Sequence, residues 1–272
     1  MYISHLGVTA ITRIKTLMKN LRHPQTGCPW DLAQSFETIA PYTIEEAYEV
    51  ADAIERKNMS DLREELGDLL FQIIFYAQLA EEQELFTFDE ICDGLTMKMV
   101  KRHPHVFGDA EQRSTARPTK AWEDIKKQER EQKAKDSQQT HSLLDDVPLA
   151  LPALIRAEKL QKRASAVGFD WPDLTGVTDK ISEEAQELAH ASQQMDEDAI
   201  EDEMGDLLFA VTNLARKLGV DPEKALRRTN SKFHARFSYI ESEAQQSETP
   251  IETMSLDEME ALWQQAKTKL NY

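Results

Sequence analysis

The chain has little cysteine, little glycine and a shortage of positive charge. Only two cysteines, Cys28 and Cys92, occur in 272 residues. They lie far apart and fit neither a disulfide framework nor a zinc-ligand pattern, which accords with a reducing cytoplasm. Nine glycines are too few for a fold of many tight hairpins, and no segment shows sustained two-residue alternation. Lysine and arginine number 32 against 49 aspartates and glutamates, a net charge of −17 with an isoelectric point near 4.9. That balance speaks against a broad electrostatic grip on nucleic acid or on an anionic membrane. A long apolar run is missing too. The greasiest stretch, Leu69 to Ala80, is broken by Gln72 and Gln78 and is too short to span a bilayer. Met1 to Leu6 lacks the basic-then-apolar layout of a signal peptide. A soluble cytoplasmic protein is expected.

What the chain does have is one acidic phrase written twice. Glu45-Glu46-Ala47-Tyr48-Glu49, followed by Glu65-Leu66-Gly67-Asp68, returns as Glu183-Glu184-Ala185-Gln186-Glu187, followed by Glu203-Met204-Gly205-Asp206. Each acid recurs 138 positions later, while the stretch between the two clusters drifts, from Arg56-Lys57-Asn58 to Gln194-Met195-Asp196. Few structural demands hold acids so tightly while letting their surroundings change; cation binding is one.

The repeat divides the chain into 1–136, a linker over 137–151, and 152–272. Nearly every segment reads with a helical period. Helices are expected near 9–22, 43–57, 60–83, 88–102 and 119–135, then 152–166, 177–194, 197–218, 222–245 and 256–270. Thr43 with Glu46 resembles a capping box, and Asp221-Pro222 reads as an N-cap followed by proline at the first helical position. Residues 103–118 and 136–152 carry the proline, glycine and small polar residues of connections. The expected fold is all-α, a tandem duplication of helical-bundle domains. Further echoes pair Lys98 to Arg102 with Lys232 to Arg236, and Trp122 with Trp263.

Residues three or four apart share a helix face. Glu184 and Glu187 therefore project together, Glu183 lies one turn below Glu187, and Glu203 and Asp206 pair on the next helix; Glu46, Glu49, Glu65 and Asp68 repeat the layout. Two antiparallel helices can bring both pairs to one point, as in carboxylate metal sites of bundles. Left unneutralised, such like charges repel. An all-carboxylate donor set selects magnesium or manganese over zinc, and magnesium characteristically shares its shell with substrate phosphates. The competing reading is a solvated acidic helix face. Against it stand the recurrence in register, the apolar runs Leu69-Leu70-Phe71 and Leu207-Leu208-Phe209 beside each second cluster, and a mid-helix glycine (Gly67, Gly205) within it. Such a glycine suggests that another backbone or a ligand passes close.

Phosphate also needs protein cations. Arg228, Lys232 and Arg236 form an i, i+4, i+8 row; Lys98 and Arg102 reproduce part of it, with Gly94 in the first place. A solvated basic stripe paired to Glu223 or Glu241 is the alternative. Trp263 and Trp122 could stack on a nucleobase or serve as core or dimer contacts.

These acids, together with Cys28-Pro29-Trp30-Asp31 and His103-Pro104-His105-Val106-Phe107, resemble the MazG nucleoside triphosphate pyrophosphohydrolases in their two-domain bacterial form, over nearly the whole chain. The resemblance implies an all-α fold, a homodimer, and magnesium-dependent hydrolysis of nucleoside triphosphates to the monophosphate and pyrophosphate, with activated water attacking the α-phosphate. It implies housecleaning of aberrant nucleotides or control of stress nucleotides. It also implies a catalytic C-terminal repeat and a structural or regulatory N-terminal one. By position, Glu184, Glu187, Glu203 and Asp206 become metal ligands and Glu183 the residue orienting water. Lys232 and Arg236 would hold phosphates with help from Lys180, and Trp263 would contact the nucleotide.

Two alternatives stay open. One is a nucleotide-sensing regulator without turnover. The other is a di-iron carboxylate enzyme, since Glu187-Leu188-Ala189-His190 has the Glu-x-x-His spacing, although position 52 in the first copy is Asp52. Purified protein is expected to contain no stoichiometric iron and to show no near-ultraviolet iron absorbance; metal analysis checks this.

Overall fold

A computed structural model describes residues 9–115, 125, 129, 142–145 and 147–270. The fold is all-α, with no strand among the described residues. The chain divides into two compact units, Met1–Ser137 and Gln138–Tyr272. In the first, α1 (Ala10–Leu21), α2 (Pro29–Leu32), α3 (Phe36–Glu55), α4 (Met59–Glu82) and α5 (Phe88–Arg102) precede short helices α6 (Pro104–Phe107) and α7 (Ala110–Thr115). The second holds α8 (Ala153–Ser165), α9 (Thr175–Gln194), α10 (Glu197–Lys217), α11 (Pro222–Gln246) and α12 (Leu256–Lys269), with a 3₁₀ turn over Ile251–Thr253.

Local chemistry sets the boundaries. Ser35 and Thr38 close a capping box at the head of α3, as Thr87 and Glu90 do for α5 and Ser255 and Glu258 for α12. Asp221 accepts from the Lys224 amide with Pro222 at the first helical position of α11, as expected. Between α3 and α4, Lys57 takes φ 57° and Asn58 caps the next helix; 138 positions on, Met195 takes φ 55° and Asp196 caps α10. The drifted stretch thus makes one and the same turn in both copies.

Two expectations need correction. Helix α3 begins at Phe36, so Thr43 is an interior residue whose hydroxyl meets the Ile39 carbonyl and the Tyr76 hydroxyl, and the Thr43–Glu46 capping box does not exist. Pro41 lies inside the helix, where it removes a single backbone bond. The connection over 103–118 contains α6 and α7, because Pro104 sits at the first helical position, where a missing N–H is tolerated. Within the expected linker, Val147 is buried and the Leu143 carbonyl accepts from Arg163. The helix expected over 119–135, and with it Trp122, lies outside the described residues.

Helices α3 and α4 form one close pair and α9 and α10 the other. In each unit a preceding helix, α1 or α8, packs on the second member. Equivalent core positions start alike: Ile39 and Val177 are buried, as are Ala53 and Ala191. They then diverge. Met18, Ile39, Ile74, Phe75 and Leu79 form the apolar core of the first unit. Where the first unit has Ile74 and Phe75, the second buries Thr212 and Asn213. Thr212 donates to the Leu208 carbonyl, and Asn213 accepts from Arg216, which also binds Asp170 at 2.8 Å. Gln161 reaches across from α8 to the Phe209 carbonyl at 2.8 Å. At these positions the first unit is packed with apolar side chains and the second with hydrogen-bonded polar ones.

Phe75→Ala is expected to lower the unfolding free energy of the first unit by about 3–5 kcal/mol, measured by urea denaturation. A loss within about 1 kcal/mol would place the ring outside a packed core.

Candidate metal centre

The turn at Met195 fixes the register of the α9–α10 pair. Glu187 lies eight residues before it and Glu203 eight after it, so both stand about 12 Å along their helices from the turn. Glu184 and Asp206 follow one turn further on, at matched heights. The first unit repeats this about Lys57, with Glu49 level with Glu65 and Glu46 near the height of Asp68.

Three of the four acids converge in each unit. Carboxylate oxygens of Glu184, Glu187 and Glu203 lie within 4.8 Å of one another, and so do those of Glu46, Glu49 and Glu65. Asp206 and Asp68 stand outside these trios, yet close enough that their charge raises the pKa of Glu203 and of Glu46. The structure therefore gathers the expected ligands with each aspartate at the edge.

The two sites are compensated differently. Glu184 is almost wholly buried. Lys180, one turn earlier on the same helix, lies 2.6 Å from Glu184 and 3.0 Å from Glu183. Its hydrogen bond holds Glu184 below the ordinary carboxylate range, and the two acids push the Lys180 ammonium upward. Partial desolvation, followed by the Glu184 carboxyl, raises Glu187; desolvation and the charges of Glu187 and Glu184 raise Glu203. One lysine thus offsets part of the repulsion among three acids.

In the first unit, position 42 is Tyr42, so the equivalent of Lys180 is missing beside Glu46. Instead Gln72, 7% exposed, lies against the Glu46 carboxyl at the place of Ala210. Desolvation and the charges of Asp68 and Glu49 raise Glu46, and desolvation with Glu49 and Asp68 raises Glu65. The Gln72 Oε1 is buried without a hydrogen-bond partner. Sequence reasoning gave Lys180 only an assisting role and passed over Gln72. Comparing the two copies at the 138-residue offset would have exposed both differences.

The remaining expected residues form a second group. On α11 and α12, the Arg236 guanidinium lies 5.4 Å from the Trp263 ring centroid, and Phe233 packs 5.3 Å from the same ring. Lys232 is half-buried on the same helix. In the first unit Arg102 is instead bound to Glu129 at 2.5 Å. The reading of Gly67 and Gly205 as close-approach sites within the chain is not met, since a Cβ at either would have nothing within 4 Å. Gly176 is the tight one: a Cβ there would run into the Trp171 indole. Arg216 and Lys217 hold that loop through Asp170, at 2.8 and 3.3 Å, at the head of α9.

Oxygen-only donors carrying uncompensated charge fit a hard divalent cation such as magnesium. Raised carboxylates also make the protein's stability depend on pH. The folded state binds protons at Glu187, Glu203, Glu46 and Glu65 more tightly than the unfolded state. Their contribution is therefore favourable at low pH and is lost as pH rises through the raised values. Thermal melts are expected to show stabilisation by magnesium near neutral pH that fades by about pH 4, as the raised carboxyls Glu187, Glu203, Glu46 and Glu65 take up protons. Equal stabilisation at both pH values would contradict the assignment.

Comparison with known proteins bears on the same residues. The MazG nucleotide pyrophosphohydrolase domain matches residues 34–107 and 174–240, which include both acid clusters. A nucleoside triphosphate pyrophosphohydrolase of Escherichia coli K12 is 49% identical over 259 residues, covering 94% of this chain and 97% of its own length. The nucleoside triphosphate pyrophosphohydrolase/pyrophosphatase MazG of Thermotoga maritima is 42% identical over 252 residues, 93% of each chain. The Bacillus subtilis protein YabN is 43% identical over 93% of this chain and 50% of its own.

Proposed function

This chain belongs to the MazG nucleotide pyrophosphohydrolase family, and from that premise we propose that its second unit hydrolyses nucleoside triphosphates to the monophosphate and pyrophosphate in a magnesium-dependent reaction. The observation that supports this most is the convergence of Glu184, Glu187 and Glu203 around a buried carboxylate that already holds an internal cation, Lys180. Manganese is a suitable substitute, because the donors are all hard oxygens.

Glu184, Glu187 and Glu203, with Asp206 at their edge, would hold the ion. Bound there, magnesium would polarise the α-phosphoryl group and neutralise the leaving pyrophosphate. The protein's own groups do the rest. Glu183, whose side chain is more than half exposed, orients the attacking water and takes its proton. Lys180 exchanges its bond to Glu184 for a phosphate oxygen as the acids gain another counter-charge. Lys232 and Arg236 steady charge on the phosphate oxygens, and Trp263, already beside Arg236, receives the nucleoside. The second unit is favoured over the first because Lys180 and Arg228 have become Tyr42 and Gly94, and Arg102 is engaged by Glu129.

We also read the protein as a cytoplasmic homodimer acting on the nucleotide pool, by removing aberrant nucleotides or adjusting stress nucleotides, with no nucleic-acid partner. An exposed apolar row on α4, Leu66, Leu70 and Ile73, recurs on α10 as Met204, Leu208 and Val211 at the same 138-residue offset. The open space over Gly67 and Gly205 flanks these rows and would let a partner helix approach closely. No helix of the described residues is long and apolar enough to cross a membrane.

Glu184→Ala and Asp206→Ala are each expected to cut pyrophosphate release from a nucleoside triphosphate panel. The loss should exceed the roughly 10–100-fold typical of residues that only orient a metal ligand. Retained turnover in both variants, or nucleotide binding by wild type with no pyrophosphate released, would overturn the assignment; the latter would mark a sensor.

A further inference from the structure

The segment between α8 and α9 is pinned more firmly than its exposure explains. Asp170 is bound by Arg216 at 2.8 Å and by Lys217 at 3.3 Å, and Lys217 also donates to the Trp171 carbonyl. These charged side chains are mostly buried, and Arg216 donates in turn to the buried Asn213. Yet the aromatic side chains so fixed stay open to solvent, Phe169 at 83% exposure and Trp171 at 42%. Ion pairs that order a loop must offset the entropy they remove, and here little of the loop's apolar surface is buried in return.

The Trp171 indole lies on Gly176, in the first turn of α9. A Cβ added to Gly176 would come within 2.2 Å of Cδ1, 2.9 Å of Nε1 and 3.1 Å of Cγ, all atoms of the five-membered ring. That part of the indole is backed by the helix, and the exposed remainder stands beyond it. At about 100° per residue, Glu183 and Glu187 return to within about 20° of the Gly176 direction. Lys180 falls within about 40° of it, one turn or about 6 Å further on. The indole therefore shares a helix face with the groups assigned to water and phosphate. The first unit carries Thr38, Gln78 and Leu79 at the places of Gly176, Arg216 and Lys217, so neither the bare helix face nor the ion pairs recur there. Trp263, the other tryptophan of the second unit, is already engaged: Arg236 lies over its ring and Phe233 against it. Trp171 keeps a free aromatic surface.

We propose that Trp171 is the platform on which the base of a bound nucleotide stacks, one helical turn from the phosphate site, while Trp263 meets the nucleoside from its phosphate end beside Arg236. This rests on the reading of the second unit as the nucleotide site. The platform selects phosphate esters that carry a planar base over inorganic polyphosphate. It reads the face of that base, because the Asp170 carboxylate and the Trp171 carbonyl are already taken by Arg216 and Lys217. Holding the indole in place beforehand leaves less freedom to be lost when the base arrives.

Calorimetric titration of the full-length protein with a non-hydrolysable nucleoside triphosphate analogue, and separately with inorganic triphosphate, both in magnesium, tests it. Trp171→Ala is expected to weaken the nucleotide about ten- to a hundredfold, the range for one stacked base, and to leave inorganic triphosphate unchanged. Trp171→Phe should recover most of the loss. Gly176→Ala, whose added methyl displaces the indole without removing it, should weaken the nucleotide in the same way although alanine favours the helix. Melting curves establish that each variant folds. The proposal is overturned if wild type binds no nucleotide, if Trp171→Ala binds it as wild type does, if that variant weakens inorganic triphosphate equally, or if Trp171→Phe is as defective as Trp171→Ala. Pyrophosphate release by wild type reports separately on hydrolysis: a protein that binds nucleotide through Trp171 and releases no pyrophosphate keeps the platform and loses the enzyme.

Discussion

Mutual repulsion among carboxylates on two antiparallel helices is the constraint to which the rest of this molecule answers. Partial desolvation, and after it the charge of neighbouring acids, raises the proton affinity of carboxylates gathered within a few ångströms. Glu46, Glu65, Glu187 and Glu203 are all raised. The left-handed residue and capping side chain at each interhelical turn, Lys57 with Asn58 and Met195 with Asp196, force the acids to equal heights. A non-glycine residue in that conformation is itself unfavourable. Geometry that a protein maintains twice against two such penalties is geometry that a positively charged ligand can stabilise.

The two units meet this constraint on different foundations. Behind the first acid cluster lies an apolar core centred on Phe75 and Ile74, both almost fully buried. Behind the second lie Thr212, Asn213, Gln161 and the Arg216–Asp170 pair. Hydrogen-bonded networks are directional and specify one arrangement, whereas apolar packing contributes more per buried atom. Behind its site the second unit therefore sets groups whose positions are fixed by direction.

Much of this was legible in sequence because acids, helix period and caps are local signals. The 138-residue recurrence located both trios, and Asp221-Pro222 marked the head of α11. Local signals also misled. Thr43 with Glu46 imitates a capping box, but Ser35 and Thr38 supply a real one eight residues earlier, and a helix tolerates Pro41 near its start. Gly67 and Gly205 suggested a close neighbour, and among the described residues no other element comes within 4 Å of a Cβ placed there. The compensating residues were hidden for another reason. Lys180 and Gln72 matter only through their partners, Glu184 on the same helix and Glu46 on the adjacent one. Neither residue type carries a recognisable motif. The polar core around Asn213 was equally silent, since asparagine in a helix reads as a surface residue until its neighbours are known.

The bonds from Lys180 to Glu183 and Glu184 span only three and four residues of a single helix. The counter-charge of the second site is therefore contained in one turn of one helix. A single exchange on a partly solvated helical turn, Lys180 against Tyr42, separates the two copies here, and neither residue is a buried core position. The charge balance of either half can thus be reset by exchanging one partly exposed residue, with no demand on the packing of its interior.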